Sequence, residues 1–283
     1  MRIGTLLSLV KFEHTIFALP HAYAAAALAF GQPHEQVSYV ALVWITVAMV
    51  GARTLGMALN RLIDAGIDAR NPRTAGREIP SGKVSIRAGI ALCAVSLLVL
   101  LGATSQLDPI TRVVWPLPVL LFVVYPYTKR FTWACHLVLG MTIALAPVGA
   151  WLAITGSLSV MIIMLWAAVA AWIAGFDIIY ATQDVAFDQE QQLHSIPARF
   201  GVARALRIAQ ALHIGTVLGL LGVSAVAALN PLSLMGIVVV AGLLYYEHSI
   251  VAPEDLTRVN AAFFTVNGYI GVVYLVSVVL GLL

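Results

Sequence analysis

The chain has 283 residues, of which 61% are hydrophobic and 10% charged, with a formal net charge of +3. A soluble domain carries charge on roughly a quarter of its residues, so this composition excludes a soluble globular protein and predicts an all-α, polytopic membrane protein. The small positive balance follows from topology, as the next paragraph argues, and gives no reason to expect a nucleic-acid partner.

Apolar stretches of about 20 residues, enough to cross about 30 Å of hydrocarbon as helix, recur along the whole sequence. Nine transmembrane helices are predicted, near residues 10–30, 37–60, 84–103, 111–127, 134–154, 158–180, 203–228, 232–251 and 262–282. Assigning alternate connections to one side places every Lys and Arg there except Arg112. Basic residues near helix ends stay in the cytoplasm, which predicts a cytoplasmic N-terminus. The first span has no obvious processing site and is expected to remain in the mature protein. Cys93 and Cys135 lie in apolar segments without metal-ligand spacing and are expected to serve packing.

The first span carries Glu13, His14 and His21, which either face a cavity as substrate contacts or pair locally at the interface. The second delivers Arg53, which either neutralises a phosphate or anchors at the headgroups, and then Asn60, Asp64 and Asp68. Residues four apart stack on one helical face. Like charges at that spacing repel, so the stripe is either a solvated helix end or one side of a divalent-metal site. The segment from Ala69 to Ser85 is predicted as a loop whose Arg73, Arg77 and Lys83 cap an anionic headgroup. The third and fourth spans read as structural, with Pro116 and Pro118 marking a bend.

The fourth span ends at Tyr125-Pro-Tyr-Thr-Lys129-Arg130-Phe-Thr-Trp133. Lys129 and Arg130 are either topological anchors or phosphate ligands, with an aromatic ring facing a developing carbocation in the second case. Met141, Pro147, Trp151, Trp166, Trp172 and Phe176 in the fifth and sixth spans read as packing. The sixth closes on Asp177, Tyr180, Asp184 and Asp188, whose spacing again selects one face. A second cap loop follows, His194 to Gly201, carrying Arg199. Two carboxylate stripes, each followed by a basic loop, suit a site that holds metal ions together with a diphosphate. Near the C-terminus, Glu247, His248, Glu254, Asp255 and Arg258 are expected to form a solvated connection, while Asn260, Asn267 and Tyr269 are candidates for hydrogen bonds across helices. The expectation is one transmembrane domain, 1–283, with cytoplasmic cap loops at about 61–83, 125–133 and 181–202.

Asn60-x3-Asp64-x3-Asp68 together with Asp177-x2-Tyr180-x3-Asp184-x3-Asp188 resembles the two signature motifs of the UbiA superfamily of intramembrane prenyltransferases. The likeness extends to Lys129-Arg130 after the fourth span and to Ser195-Ile-Pro-Ala-Arg-Phe-Gly201 after the second motif. The resemblance implies a bundle around a central cavity, with Mg²⁺ and the diphosphate of a polyprenyl diphosphate at Asn60, Asp64, Asp68, Asp184 and Asp188. It implies headgroup contacts from Arg53, Arg73, Arg77, Lys129, Arg130 and Arg199. Asp177, Tyr180 and Asp184 form the catalytic set it implies, with Asp177 or Asp184 accepting the proton of an aromatic acceptor. Within the family the chain is most similar to 4-hydroxybenzoate polyprenyltransferases of quinone biosynthesis, in a bacterial inner membrane with the site facing the cytoplasm. Its opening, Lys11-Phe-Glu-His-Thr-Ile-Phe-Ala-Leu-Pro20, looks more like relatives assigned to an alternative menaquinone route. Naphthoate, heme or a lipid alcohol therefore stay open as acceptors.

A cation or lipid transporter is the competing class, but transporters place their ionisable site near the bilayer midplane. A CDP-alcohol phosphatidyltransferase would also use Asp-rich helices. Its longer Asp run is missing, and Asp64-Ala-Gly-Ile-Asp-Ala-Arg70 imitates only the opening.

Overall fold

Every named element in the computed structural model is a helix, across the residues it describes, 8–9, 15–33 and 35–283. Hydrocarbon offers backbone N–H and C=O groups no partner, and a helix pairs them within its own segment. In chain order the elements are α1 (Thr15–Phe30), α2 (Tyr39–Ile63), α3 (Ala65–Asp68), α4 (Ile86–Thr104), α5 (Thr111–Val114), α6 (Pro116–Thr128), α7 (Cys135–Ile143) and α8 (Leu145–Thr155). Then come α9 (Val160–Ala181), a 3-10 turn (Thr182–Asp184), α10 (Val185–Glu190), α11 (Ile196–Phe200), α12 (Val202–Val226), α13 (Leu232–Ser249), α14 (Val259–Ala261), a π-turn (Ala262–Val266) and α15 (Asn267–Leu282).

Among the described residues, seven helical runs are long and apolar enough to cross a membrane. Of the first predicted span, 10–30, residues 10–14 lie outside the described residues and the remainder is α1; the fourth is shorter than predicted, 13 residues in α6. Prolines explain two interruptions. Pro116 opens α6 directly after the break at Trp115, where its fixed φ suits a first turn that needs no donor. Pro147 removes the hydrogen bond to Ile143, and the fifth run divides at Ala144 into α7 and α8. Ser38, Ser85 and Ser159 cap α2, α4 and α9, each accepting a hydrogen bond from the third residue onward.

The centre of the bundle is α9, with Ile162, Leu165, Trp172, Ile173, Ile178 and Ile179 fully buried. It packs against α7 and α12. A Cβ on Gly140 would lie 2.3 Å from the Ala170 carbonyl oxygen, so α7 approaches α9 only because that side chain is absent. Outward faces are apolar: Leu98, Leu218 and Val238 are 68%, 63% and 70% exposed, as lipid contact requires.

The C-terminal region departs from expectation. Glu247 is fully buried, because α15 and its π-turn close over the end of α13. Asn267, placed just after the π-turn, donates to Glu247 Oε1 at 2.8 Å and accepts from Trp172 Nε1 at 2.7 Å. His248 Nε2 lies 2.9 Å from His213 Nδ1. Asn267 thus bonds across helices as expected, whereas Asn260 and Tyr269 are exposed. Glu13 and His14 lie outside the described residues. His21 is buried in the bundle, tilted against Trp172 at 4.7 Å and stacked on Tyr274 at 5.7 Å, and lines neither cavity described next.

Candidate active site

The two acidic stripes sit on broken helices. Asp64 caps α2 at φ −92° and ψ 0°, and the chain resumes as α3. The 3-10 turn separates Asp177 and Tyr180 on α9 from Asp188 on α10. Both breaks leave the carboxylates on one chamber that Asn60, Asp64, Asp68, Asp177, Tyr180, Asp184 and Asp188 line together. Its cations are Arg73, Arg77 and Lys129.

Each cation is held by a carboxylate. Lys129 Nζ lies 2.7 Å from Asp64 Oδ2, which also accepts from Asn60 Nδ2 at 3.1 Å. One guanidinium nitrogen of Arg77 donates to both oxygens of Asp68 at 2.7 Å. Arg73 forks onto Asp184, its Nε 2.9 Å from Oδ1, and reaches the Tyr180 hydroxyl at 2.8 Å. Burial works against the Arg73 charge, but hydrogen bonds and charge from Asp184 outweigh it and raise its pKa above the ordinary value. Asn71 supports the same pair, donating to Asp184 Oδ1 at 3.0 Å while accepting from the Arg73 backbone. Ser195 caps α11 and donates to Asp188 Oδ2 at 2.7 Å.

Four basic residues named from sequence, Lys83, Arg130, Arg199 and Arg53, do not line this chamber. Arg130 donates to the Ile63 carbonyl at 2.8 Å, stands over the Tyr127 ring and lies 3.6 Å from Asp64 Oδ1, so it braces the end of α2 and pairs with the chamber's carboxylate from outside the lining. Arg199 lies over Phe200 at the end of α11. Arg53 is seven residues before Asn60, roughly 10 Å along the helix. It lines a second, apolar cavity, and its buried Nε has no hydrogen-bond partner.

That cavity lies between α2, α4, α6, α7 and α8, with Met49, Leu100, Pro118, Phe122, Ile143 and Ala150 in its wall. The third and fourth spans therefore shape a cavity as well as the bundle. Tyr125 and Leu139 belong to both linings, so the chamber and the apolar cavity meet there. Cys135, expected to serve packing, also lines the chamber.

Three site residues were given no role in the site from sequence. Asn71 precedes a proline and reads as a turn; Ser195 reads as a cap; His136 stands alone in an apolar run. His136 Nδ1 is 2.7 Å from Asp177 Oδ2, a contact across 41 residues that no local pattern announces.

The donor set suits a hard dication. Carboxylate and amide oxygens are what magnesium prefers, and Asp64 Oδ1 is buried without a hydrogen bond. Among the described residues no three acidic, His or Cys side chains converge on one point, since each carboxylate is turned onto a cation or a hydroxyl. Five carboxylates face three permanent cations in the chamber. Asp64, Asp68 and Asp184 already engage Lys129, Arg77 and Arg73, so an anionic headgroup competes with carboxylates for these cations and enters more readily with added positive charge.

A charged chamber that opens onto an apolar cavity inside membrane helices defines an integral membrane protein built around an amphiphile with a polar head. The chain belongs to the UbiA prenyltransferase family, whose family model matches residues 18–269. It is 30% identical over 269 residues to a 4-hydroxybenzoate solanesyltransferase of Synechocystis sp., covering 94% of this chain and 90% of that one. A 4-hydroxybenzoate octaprenyltransferase of Photobacterium profundum is 25% identical, over 97% and 95% of the two chains. The apo structure of a UbiA homolog from Aeropyrum pernix K1 superposes with a TM-score of 0.85 at 29% identity, covering 96% of this chain and 98% of that one. A UbiA homolog from Archaeoglobus fulgidus bound to DMAPP and Mg²⁺ shares the fold, with a TM-score of 0.72 at 19% identity over 99% and 100%.

Proposed function

We propose that this enzyme transfers a polyprenyl group from an allylic polyprenyl diphosphate to a 4-hydroxybenzoate-like aromatic acid in quinone biosynthesis, releasing diphosphate. The observation that carries this reading is the meeting of chamber and apolar cavity at Tyr125 and Leu139, which puts a charged head and a hydrocarbon tail on either side of one point. On this reading the polyprenyl tail lies along the apolar cavity and the diphosphate in the chamber. The membrane reading is nine spans in one domain, 1–283, with the N-terminus and the chamber on the cytoplasmic side of a bacterial inner membrane. The one-sided placement of Lys and Arg supports it.

Asn60, Asp64, Asp68, Asp184 and Asp188 would hold Mg²⁺, which when bound supplies the positive charge that a diphosphate leaving group needs. Arg73, Arg77 and Lys129 exchange their carboxylate partners for phosphate oxygens, staying within reach because their own stems are fixed by the cap loops. Tyr125 turns an aromatic face toward the reacting carbon at the junction, where positive charge develops. The apolar wall excludes water that would otherwise trap that carbon. Arg53 is a buried cation beside the junction, suited to the carboxylate of the acid once that group enters the apolar side. Asp177 takes the ring proton, while the Tyr180 hydroxyl steadies Arg73.

The test is to incubate the purified chain with labelled allylic and saturated polyprenyl diphosphates, Mg²⁺ and a panel of aromatic acids, with products read by mass spectrometry. A ring-prenylated 4-hydroxybenzoate from the allylic donor only is expected, since a saturated chain cannot delocalise the cation. Equal diphosphate release from both donors, or no prenylated ring with any acid, would overturn the proposal.

A further inference from the structure

We propose that His136 is the positioning residue for the base: it holds Asp177 by one carboxylate oxygen and leaves the other free for the proton the ring sheds. This rests on the reading of Asp177 as the base. His136 sits in the first turn of α7, one turn before Leu139 at the junction of the two cavities, and α7 packs directly on α9, which carries Asp177. The distance from Nδ1 to Asp177 Oδ2 is 2.7 Å. An ionised carboxylate only accepts, so the hydrogen of that bond belongs to Nδ1. Both side chains line the chamber, and the Asp177 carboxylate is the more open of the two, 23% exposed against 5% for His136. Nε2 is buried without a hydrogen-bond partner, so the bond to Asp177 orients the ring.

A bonded Oδ2 stops the carboxylate from rotating, so Oδ1 faces the substrate in each turnover. In the reaction the allylic carbon–oxygen bond breaks, and its electron pair leaves with diphosphate. A π pair of the ring forms the new carbon–carbon bond. The carbon–hydrogen pair at that ring position returns to the ring, and the proton passes to Asp177 Oδ1 and, on product release, to water.

The experiment uses the full chain with labelled polyprenyl diphosphate, excess Mg²⁺ and an acceptor deuterated at the ring position that is prenylated, established first with the wild-type chain. Wild type is expected to show an isotope effect on kcat close to one, ring deprotonation being fast. His136→Ala should lower kcat on the order of tenfold to a hundredfold, leave KM for the polyprenyl diphosphate unchanged, and raise the isotope effect. His136→Asn places an amide nitrogen where Nδ1 stands and should restore most of kcat with a wild-type isotope effect. A His136→Ala variant with wild-type kcat, a loss of kcat without an isotope effect, or no rescue by Asn overturns the proposal. Asp177→Asn run in parallel separates the two levels. If it leaves the isotope effect unmoved, the reading of Asp177 as base fails; if it raises the effect while His136→Ala does not, only the role of His136 fails.

Discussion

Asp64 illustrates how single residues in this chamber hold opposite charges ready for exchange. Its carboxylate is 5% exposed, bonded to Lys129 and Asn60 on one oxygen and lacking a hydrogen bond on the other. Asp64→Asn removes a charged oxygen from the candidate metal set and strands Lys129. Turnover is expected to fall by at least about a hundredfold, with a higher Mg²⁺ requirement, measured as rate against Mg²⁺ concentration; full activity of this variant in excess chelator would remove the metal from the account. Arg73→Gln, Arg77→Gln and Lys129→Gln are each expected to weaken polyprenyl diphosphate binding by about tenfold, the loss of one charge-assisted contact. Unchanged affinity in all three returns these residues to membrane anchoring. The carboxylates were legible in the sequence because spacing of four is a local signal. Their partners were not: Arg73 and Asp184 are 111 residues apart, and Lys129 and Asp64 are 65 apart. Arg130 and Arg199 look the same as Lys129 in sequence, and only packing decides which cation faces the chamber.

At the scale of elements, the long helices follow from apolar runs, and Pro116 and Pro118 marked the bend beside the break at Trp115, whereas Pro147 read as packing and the break at Ala144 was not expected. The 3-10 turn at Thr182–Asp184 and the π-turn at Ala262–Val266 have no such warning, since one residue more or less per turn is fixed by neighbouring helices. That is why Glu247 was misplaced. Its position near a helix end and beside His248 suggests solvent, yet the π-turn sets Asn267 above it and closes the region. Asn267→Ala would leave Trp172 Nε1 and Glu247 Oε1 without their partners in a dry interior. A loss of about 2–4 kcal/mol is expected from two unsatisfied groups, seen as a lower thermal inactivation temperature in detergent. Tyr269→Ala, two residues on but 61% exposed, is the control and should change stability little. Similar losses in both variants would mean that the hydrogen bonds across α9, α13 and α15 contribute nothing specific.

The whole molecule joins two solvents in one interior, and the tail's place in it is the part of the function most open to direct test. From sequence the third and fourth spans looked structural because they are almost uniformly apolar; a wall for hydrocarbon has the same composition as a packing face, and only the space between helices tells them apart. Gly149 on α8 lines the apolar cavity, and a Cβ built there meets nothing within 4 Å. A large side chain at this position therefore extends into empty space without displacing backbone, unlike one at Gly140. If the polyprenyl tail lies in this cavity, Gly149→Trp shortens the room available to it while leaving the chamber untouched. The variant is expected to keep near wild-type kcat/KM with geranyl diphosphate and to lose on the order of tenfold to a hundredfold with donors of eight or nine isoprene units, as steric exclusion from an apolar pocket does. The comparison of short and long donors within one variant removes folding from the question, because a damaged protein loses both. Equal kcat/KM ratios in wild type and Gly149→Trp would place the tail outside this cavity, in the surrounding lipid.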